Sequence, residues 1–144
     1  MTLQLPDVSK TLEQLDGHNW GEPEWQSHLV LECHRLRRVP LREFTPANLR
    51  MMVGQDINLE SLVPLALQVL SEDPLIEAEL YPGDLLGALL HSEASFWLAH
   101  PELRTVLAMV VESARFGFKA LDNSKRRAAP ESLYDAISRF QRIG

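Results

Sequence analysis

LESLVPLALQVL, residues 59–70, places Leu59, Leu62, Val63, Leu65, Ala66, Leu67, Val69 and Leu70 all round a helical axis. A helix that is apolar on every side is stable only when buried on nearly every side, so this stretch reads as the core element around which the rest must pack. The uncharged run it belongs to, Ser61 to Ser71, is 11 residues long, well short of the ~20 that span a bilayer. Pro64 lacks the N–H that a helix interior needs and is expected to kink the element or split it in two.

Toward the N-terminus, Thr45-Pro46 gives a cap followed by a first-turn proline, and Leu49, Met52 and Val53 continue a helical stripe to Gly54. Before it, Ser27 caps a helix to about Arg38, with Leu29, Val30, Cys33 and Leu36 on one stripe, Arg35 and Arg38 outside it, and Pro40 as its stop. Ser9 or Thr11 caps a short first helix that Asp16-Gly17 ends. The connecting stretch Asn19 to Gln26 carries Trp20 and Trp25, whose indoles are expected to cover apolar surface on the body.

Toward the C-terminus, Ser71-Glu72-Asp73-Pro74 breaks the core helix, and Leu75 to Tyr81 reads equally as extended chain or one helical turn. Tyr81-Pro82-Gly83-Asp84 is a turn whose Asp84 is placed to cap a helix Leu85 to Leu90, and Ser92-Glu93 opens another with Phe96, Trp97 and Leu98. From Pro101 to Phe118, Leu103, Val106, Leu107, Val110, Val111 and Ala114 recur every three or four residues, a long amphipathic helix. Asp122 to Ala129 reads as a basic loop, and a final helix from about Pro130 to Arg142 offers Leu133, Ile137 and Phe140 on one face. The expectation is an all-α fold: one compact domain, residues 1–144, of about six to eight short and medium helices.

The composition supports this. With 144 residues, 45% hydrophobic and 24% charged, the chain has enough apolar material for one core. Cys33 is the single cysteine, so no intramolecular disulfide forms, and a reducing compartment such as the cytoplasm is expected. Residues 1–10 include Pro6, Asp7 and Ser9 and lack the apolar stretch of a secretory signal.

The net charge of −6 is unevenly distributed. Residues 51–103 hold nine acids and not one Lys or Arg, whereas residues 104–144 carry eight bases against four acids. Crowding like charges costs self-repulsion that an interspersed lysine would relieve, so the acidic block reads either as a surface for a basic partner or as a solvated face.

Chemistry is harder to find. His28 and Glu32 lie one helical turn apart beside Cys33 and His34, but two ligands are too few for a metal, and neighbouring helix positions diverge by about 100°. A thiol nucleophile needs an imidazole within hydrogen-bond reach, which only His91 or His100 could supply through the fold. GxSxG, HExxH, GxGxxG, CxxC and phosphate-binding loops are all missing. Lys125-Arg126-Arg127 near Lys119 reads as a solvated loop rather than a phosphate grip, and no basic recognition face stands out between Leu49 and Val53. No enzyme activity, metal or cofactor is expected, and neither nucleic acid nor membrane as partner; the work is binding another macromolecule.

His34-Arg35-Leu36-Arg37 and Pro40-Leu41, then Leu49-Arg50 and Gly54-Gln55, Val63-Pro64-Leu65-Ala66-Leu67, Tyr81-Pro82-Gly83-Asp84-Leu85-Leu86 and Phe96-Trp97 occur in that order. Together they resemble the contact-dependent growth inhibition (CDI) immunity proteins, from about Leu12 to about Leu103. The resemblance implies a small cytoplasmic protein of a Gram-negative bacterium that binds and blocks the C-terminal toxin domain delivered by a sister cell. Many such toxins are nucleases with basic surfaces, which an acidic protein can cover. On that footing Glu72, Asp73, Glu77, Glu79 and Asp84, around Pro74 and Pro82, are expected to face the toxin. The alternative is a helical adaptor or regulator unrelated to toxin immunity.

Overall fold

Capping chemistry legible in the sequence sets the first three α-helix starts in the computed structural model, which describes residues 3–143. Helix α1 (Leu12–Asp16) opens on a capping box in which Thr11 and Gln14 each accept the other's backbone N–H, and Gly17 closes it at φ +72°. Helix α2 (His28–Leu36) is capped by the Ser27 hydroxyl, which accepts from Val30 N–H. A 3-10 turn at Leu41–Glu43 leads into α3 (Pro46–Gly54), where Thr45 and Asn48 form a second capping box ahead of Pro46.

The core helix is α4 (Leu59–Glu72). Leu62, Val63, Ala66, Leu67 and Leu70 are fully buried, and Leu59, Pro64 and Leu65 nearly so; each such leucine contributes roughly 1.5–3 kcal/mol by leaving water. Pro64 does not split the helix, which runs unbroken across it. The carbonyl deprived of its donor belongs to Glu60, an exposed first-turn residue that water can reach.

Beyond α4 come α5 (Asp84–Leu90), α6 (Ala94–Ala99), α7 (Pro101–Ala120), α8 (Asn123–Ala128) and α9 (Glu131–Ile143). The fold is all-α, with nine α-helices among the described residues. Helix α4 packs on α3, α5 and α7; α5 lies against α3 and α9, and α6 against α7. The expected stripe on α7 is buried, as are Leu133 and Ile137 of α9.

Three local expectations are corrected. The basic segment after Asp122 is helical, because the Asp122 carboxylate accepts from Lys125 N–H at 2.9 Å and the Ser124 hydroxyl at 2.7 Å and so starts α8, whose residues all remain exposed. Leu75 to Tyr81 is neither strand nor helix but an irregular loop of turns and bends. The tryptophans do not both cover the body: Trp20 sits edge-on to His34 and over the Arg37 guanidinium, while Trp25 is 71% exposed.

The N-terminal end of α4 is tied down by a buried guanidinium. Arg37, 1% exposed, donates from Nη1 to Asp16 Oδ2 (2.7 Å) and Asn58 Oδ1 (2.8 Å), and from Nη2 to Asp16 Oδ1 (3.1 Å) and the His18 carbonyl (2.6 Å). Asn58 Nδ2 returns a bond to Asp16, and this network holds Asn58 in the left-handed region at φ 50°, just ahead of α4. The Arg37 bonds keep the Asp16 carboxyl far below the usual carboxylate range.

Candidate functional site

The acidic block does not form one surface, because α4 separates its members. Asp56, Glu60 and Glu93 gather with Asp16 along a cleft at the helix's N-terminal end. Glu72 and Asp73 lie at its C-terminal end, about 18 Å away at 1.5 Å of rise per residue, and Glu77, Glu79 and Asp84 follow on the loop and the helix after it.

At the C-terminal end the chain leaves α4 through Asp73 and folds a loop as far as Gly83. Leu75, Ile76 and Ala78 pack against the core from beneath, and Leu75 fits where α7 carries Gly117, whose absent Cβ would stand 2.9 Å from Leu75 Cδ1. Gly83 closes the loop at φ +87°, with Leu133 of α9 so near that a Cβ would meet its Cδ2 at 2.9 Å. Only glycine satisfies both the backbone angle and that approach.

Asp84 organises this loop from below. It does not cap α5, as its position suggests; its side chain turns back, Oδ1 accepting from Ala78 N–H at 2.7 Å and Oδ2 from Glu79 N–H at 2.9 Å and Leu80 N–H at 2.8 Å. Three successive backbone donors converge on one carboxylate that is 3% exposed, an arrangement that offsets the cost of burying its charge. Asp84 is therefore out of reach of any partner surface. Arg50 of α3 adds a counter-charge, its Nη2 2.6 Å from Glu79 Oε2 and its Nε 3.9 Å from Asp84 Oδ2.

What faces outward is Glu72, Asp73, Glu77, Glu79 and Leu80. Among the described residues Glu72, Asp73 and Glu77 have no cationic partner, so only Glu79 has its charge answered within the chain. Burial pushes the nearby Tyr81 phenol up, and the Asp84 carboxylate adds to that shift.

The other chemical candidates are dispersed. Glu32 pairs with Arg35 rather than with His28, and Cys33 is buried, its thiol pushed up by desolvation. The imidazoles of His91 and His100 each donate Nδ1–H one turn back on the preceding chain, to the Gly87 carbonyl (2.8 Å) and the Phe96 carbonyl (2.9 Å). No three His, Cys, Asp or Glu side chains among the described residues converge as metal ligands. Among those residues no helix is long and apolar enough to cross a membrane. Sequence reading missed Arg37 and Arg50 as organisers, since nothing in local spacing marks an arginine whose partners lie about 20 or more residues away.

Residues 14–107 match the family model described as CDI immunity proteins. The matched span runs from within α1 to within α7 and includes the whole acidic loop; α8 and α9 lie beyond it. No curated protein and no solved structure matches the chain.

Proposed function

The chain belongs to the family of CDI immunity proteins, and from that premise we propose that it binds and neutralises the C-terminal toxin domain of one cognate CDI effector in the cytoplasm of the producing cell. The family match over residues 14–107 carries this reading. The whole chain acts as one immunity domain and works by contact, not by chemistry of its own.

We further propose that the toxin is basic, as a nuclease that grips phosphate would be, and that the loop of Glu72, Asp73, Glu77 and Glu79 faces it. Among the described residues three of these carboxylates have no counter-charge, which leaves their field available to a partner. Complementarity of this kind raises association to roughly 10⁸–10⁹ M⁻¹s⁻¹ at low salt, and close interfacial charge pairs couple by about 1.5–7 kcal/mol. Asp84 supports the surface from within, holding the backbone of Ala78 to Leu80.

The test is co-expression with the toxin domain encoded beside this gene, then titration of the purified pair. Protection of growth and tight binding are expected. The variant Glu72→Lys/Asp73→Lys/Glu77→Lys should bind at least tenfold more weakly at low salt, with a smaller deficit at high salt. Glu79 stays unchanged in this variant because Arg50 depends on it. Unchanged affinity at both salts would place the interface elsewhere; absence of protection by the wild-type protein would refute the immunity reading itself.

A further inference from the structure

A cavity of about 420 Å³ opens between the α5–α6 corner, α7 and α9. Leu90, Trp97, Leu107, Ala136 and Phe140 give it an apolar wall, and its size falls within the ~300–1,000 Å³ typical of pockets that take a specific group. We propose that this cavity receives an apolar side chain of the toxin, presented beside an acidic residue, and that it helps decide which toxin the protein accepts. The inference rests on the immunity reading above and adds a second contact region to it.

The charge of the lining points to that occupant. The lining includes Arg104 and Arg139 and no carboxylate, and among the described residues neither arginine makes an ion pair. Arg104 instead stacks over the Phe140 ring at 4.8 Å, with its hydrogen-bonding edges unspent on acid. In a chain of net charge −6, an apolar hollow with two guanidiniums and no acid is complementary to an apolar group flanked by a carboxylate.

Leu98 identifies the occupant as part of a protein rather than a free small molecule. It lines the cavity and is 81% exposed, so it extends apolar contact beyond the hollow in the way an interface surrounds an anchoring side chain. The walls also have two origins. Leu90 to Leu107 fall inside the span that matches the family, whereas Ala136, Arg139 and Phe140 come from α9 outside it. Residues beyond the matched span need not be common to the family, so a pocket with one wall from each part is suited to discriminating among toxins.

The experiment measures affinity for the purified toxin domain encoded beside the gene, for the wild type and for Leu98→Asp, Arg139→Glu and Ala136→Phe. Leu98 and Arg139 are exposed, so their variants should keep the wild-type melting temperature and bind at least tenfold more weakly; Ala136→Phe fills the cavity and should do the same where it folds. The Arg139→Glu result is decided by its sign. General attraction to a basic toxin would tighten binding when a base becomes an acid, whereas insertion of an acid-flanked side chain requires it to weaken. Wild-type binding with Leu98→Asp and Arg139→Glu unimpaired would overturn the pocket and leave the immunity function standing. Failure of the wild type to bind would bring down both.

Discussion

At the N-terminal end of α4, Arg37 is buried and its own charge is answered: Asp16, Asn58 and the His18 carbonyl surround the guanidinium, and Trp20 lies 4.5 Å from it. Beyond its C-terminal end Glu72, Asp73 and Glu77 stand in water with no cationic partner among the described residues, beside a loop whose backbone the buried Asp84 holds. The contrast separates two uses of charge within one short protein. Where ions are desolvated they must be matched, and they then act as structure. Where they are left solvated and unmatched, folding has little need of them, and their field is free for a partner.

The comparison can be broken first at Arg37. Arg37→Ala removes the charge-assisted hydrogen bonds to Asp16 and Asn58, frees Asn58 from the partner that helps hold its left-handed backbone, and should destabilise by about 2–3 kcal/mol in urea unfolding. A loss below about 1 kcal/mol would mean that the junction is ornamental. Its pH dependence follows from Asp16, whose folded-state value is depressed. The stabilisation is therefore complete above the ordinary carboxylate range, near about pH 4, and fades as pH falls from there toward the depressed value. The gap in stability between wild type and Asp16→Asn should stay constant from neutral pH down to about pH 5 and close under stronger acid.

Asp84 comes next in size. Asp84→Asn keeps one acceptor oxygen but turns an amide NH₂ toward donors that need acceptors, at a cost of about 2 kcal/mol. Hydrogen exchange should accelerate at Ala78, Glu79 and Leu80 ahead of the rest of the chain. The smallest expected effect is on the stability of Glu72→Lys/Asp73→Lys/Glu77→Lys, which should stay within about 1 kcal/mol of wild type despite its effect on binding. A large loss of stability there would erase the distinction between the two ends.

Much of the fold was legible because its signals are short-ranged. Thr11 with Gln14, Ser27 with Val30 and Thr45 with Asn48 act across three residues, and the periodicity on α7 reports a single buried face. The candidate site was legible only in part. The exposure of Glu72, Asp73 and Glu77 could be expected from turn-forming neighbours, but Asp84 looks like a helix cap until the loop before it is seen to fold back over its carboxylate. Trp25 shows the opposite failure: an indole expected to be covered is left in solvent, because residue type states what burial would gain but not whether surface is at hand.

By itself, then, the order of residues determined an all-α chain built around an apolar helix at 59–70, the capped starts of its first three α-helices, and the family resemblance later matched over residues 14–107. These are encoded in capping, periodicity and motif, each read along the chain. Tertiary structure decided the rest: that Asp56, Glu60 and Glu93 of the acidic stretch share a cleft from which Glu72 and Asp73 are separated by the length of α4, that Arg37 and Arg50 go to Asp16 and Glu79, and that α9 closes a cavity against Trp97. Such pairings depend on which distant segments pack together, and a charge is committed or left free only once that packing has removed its water.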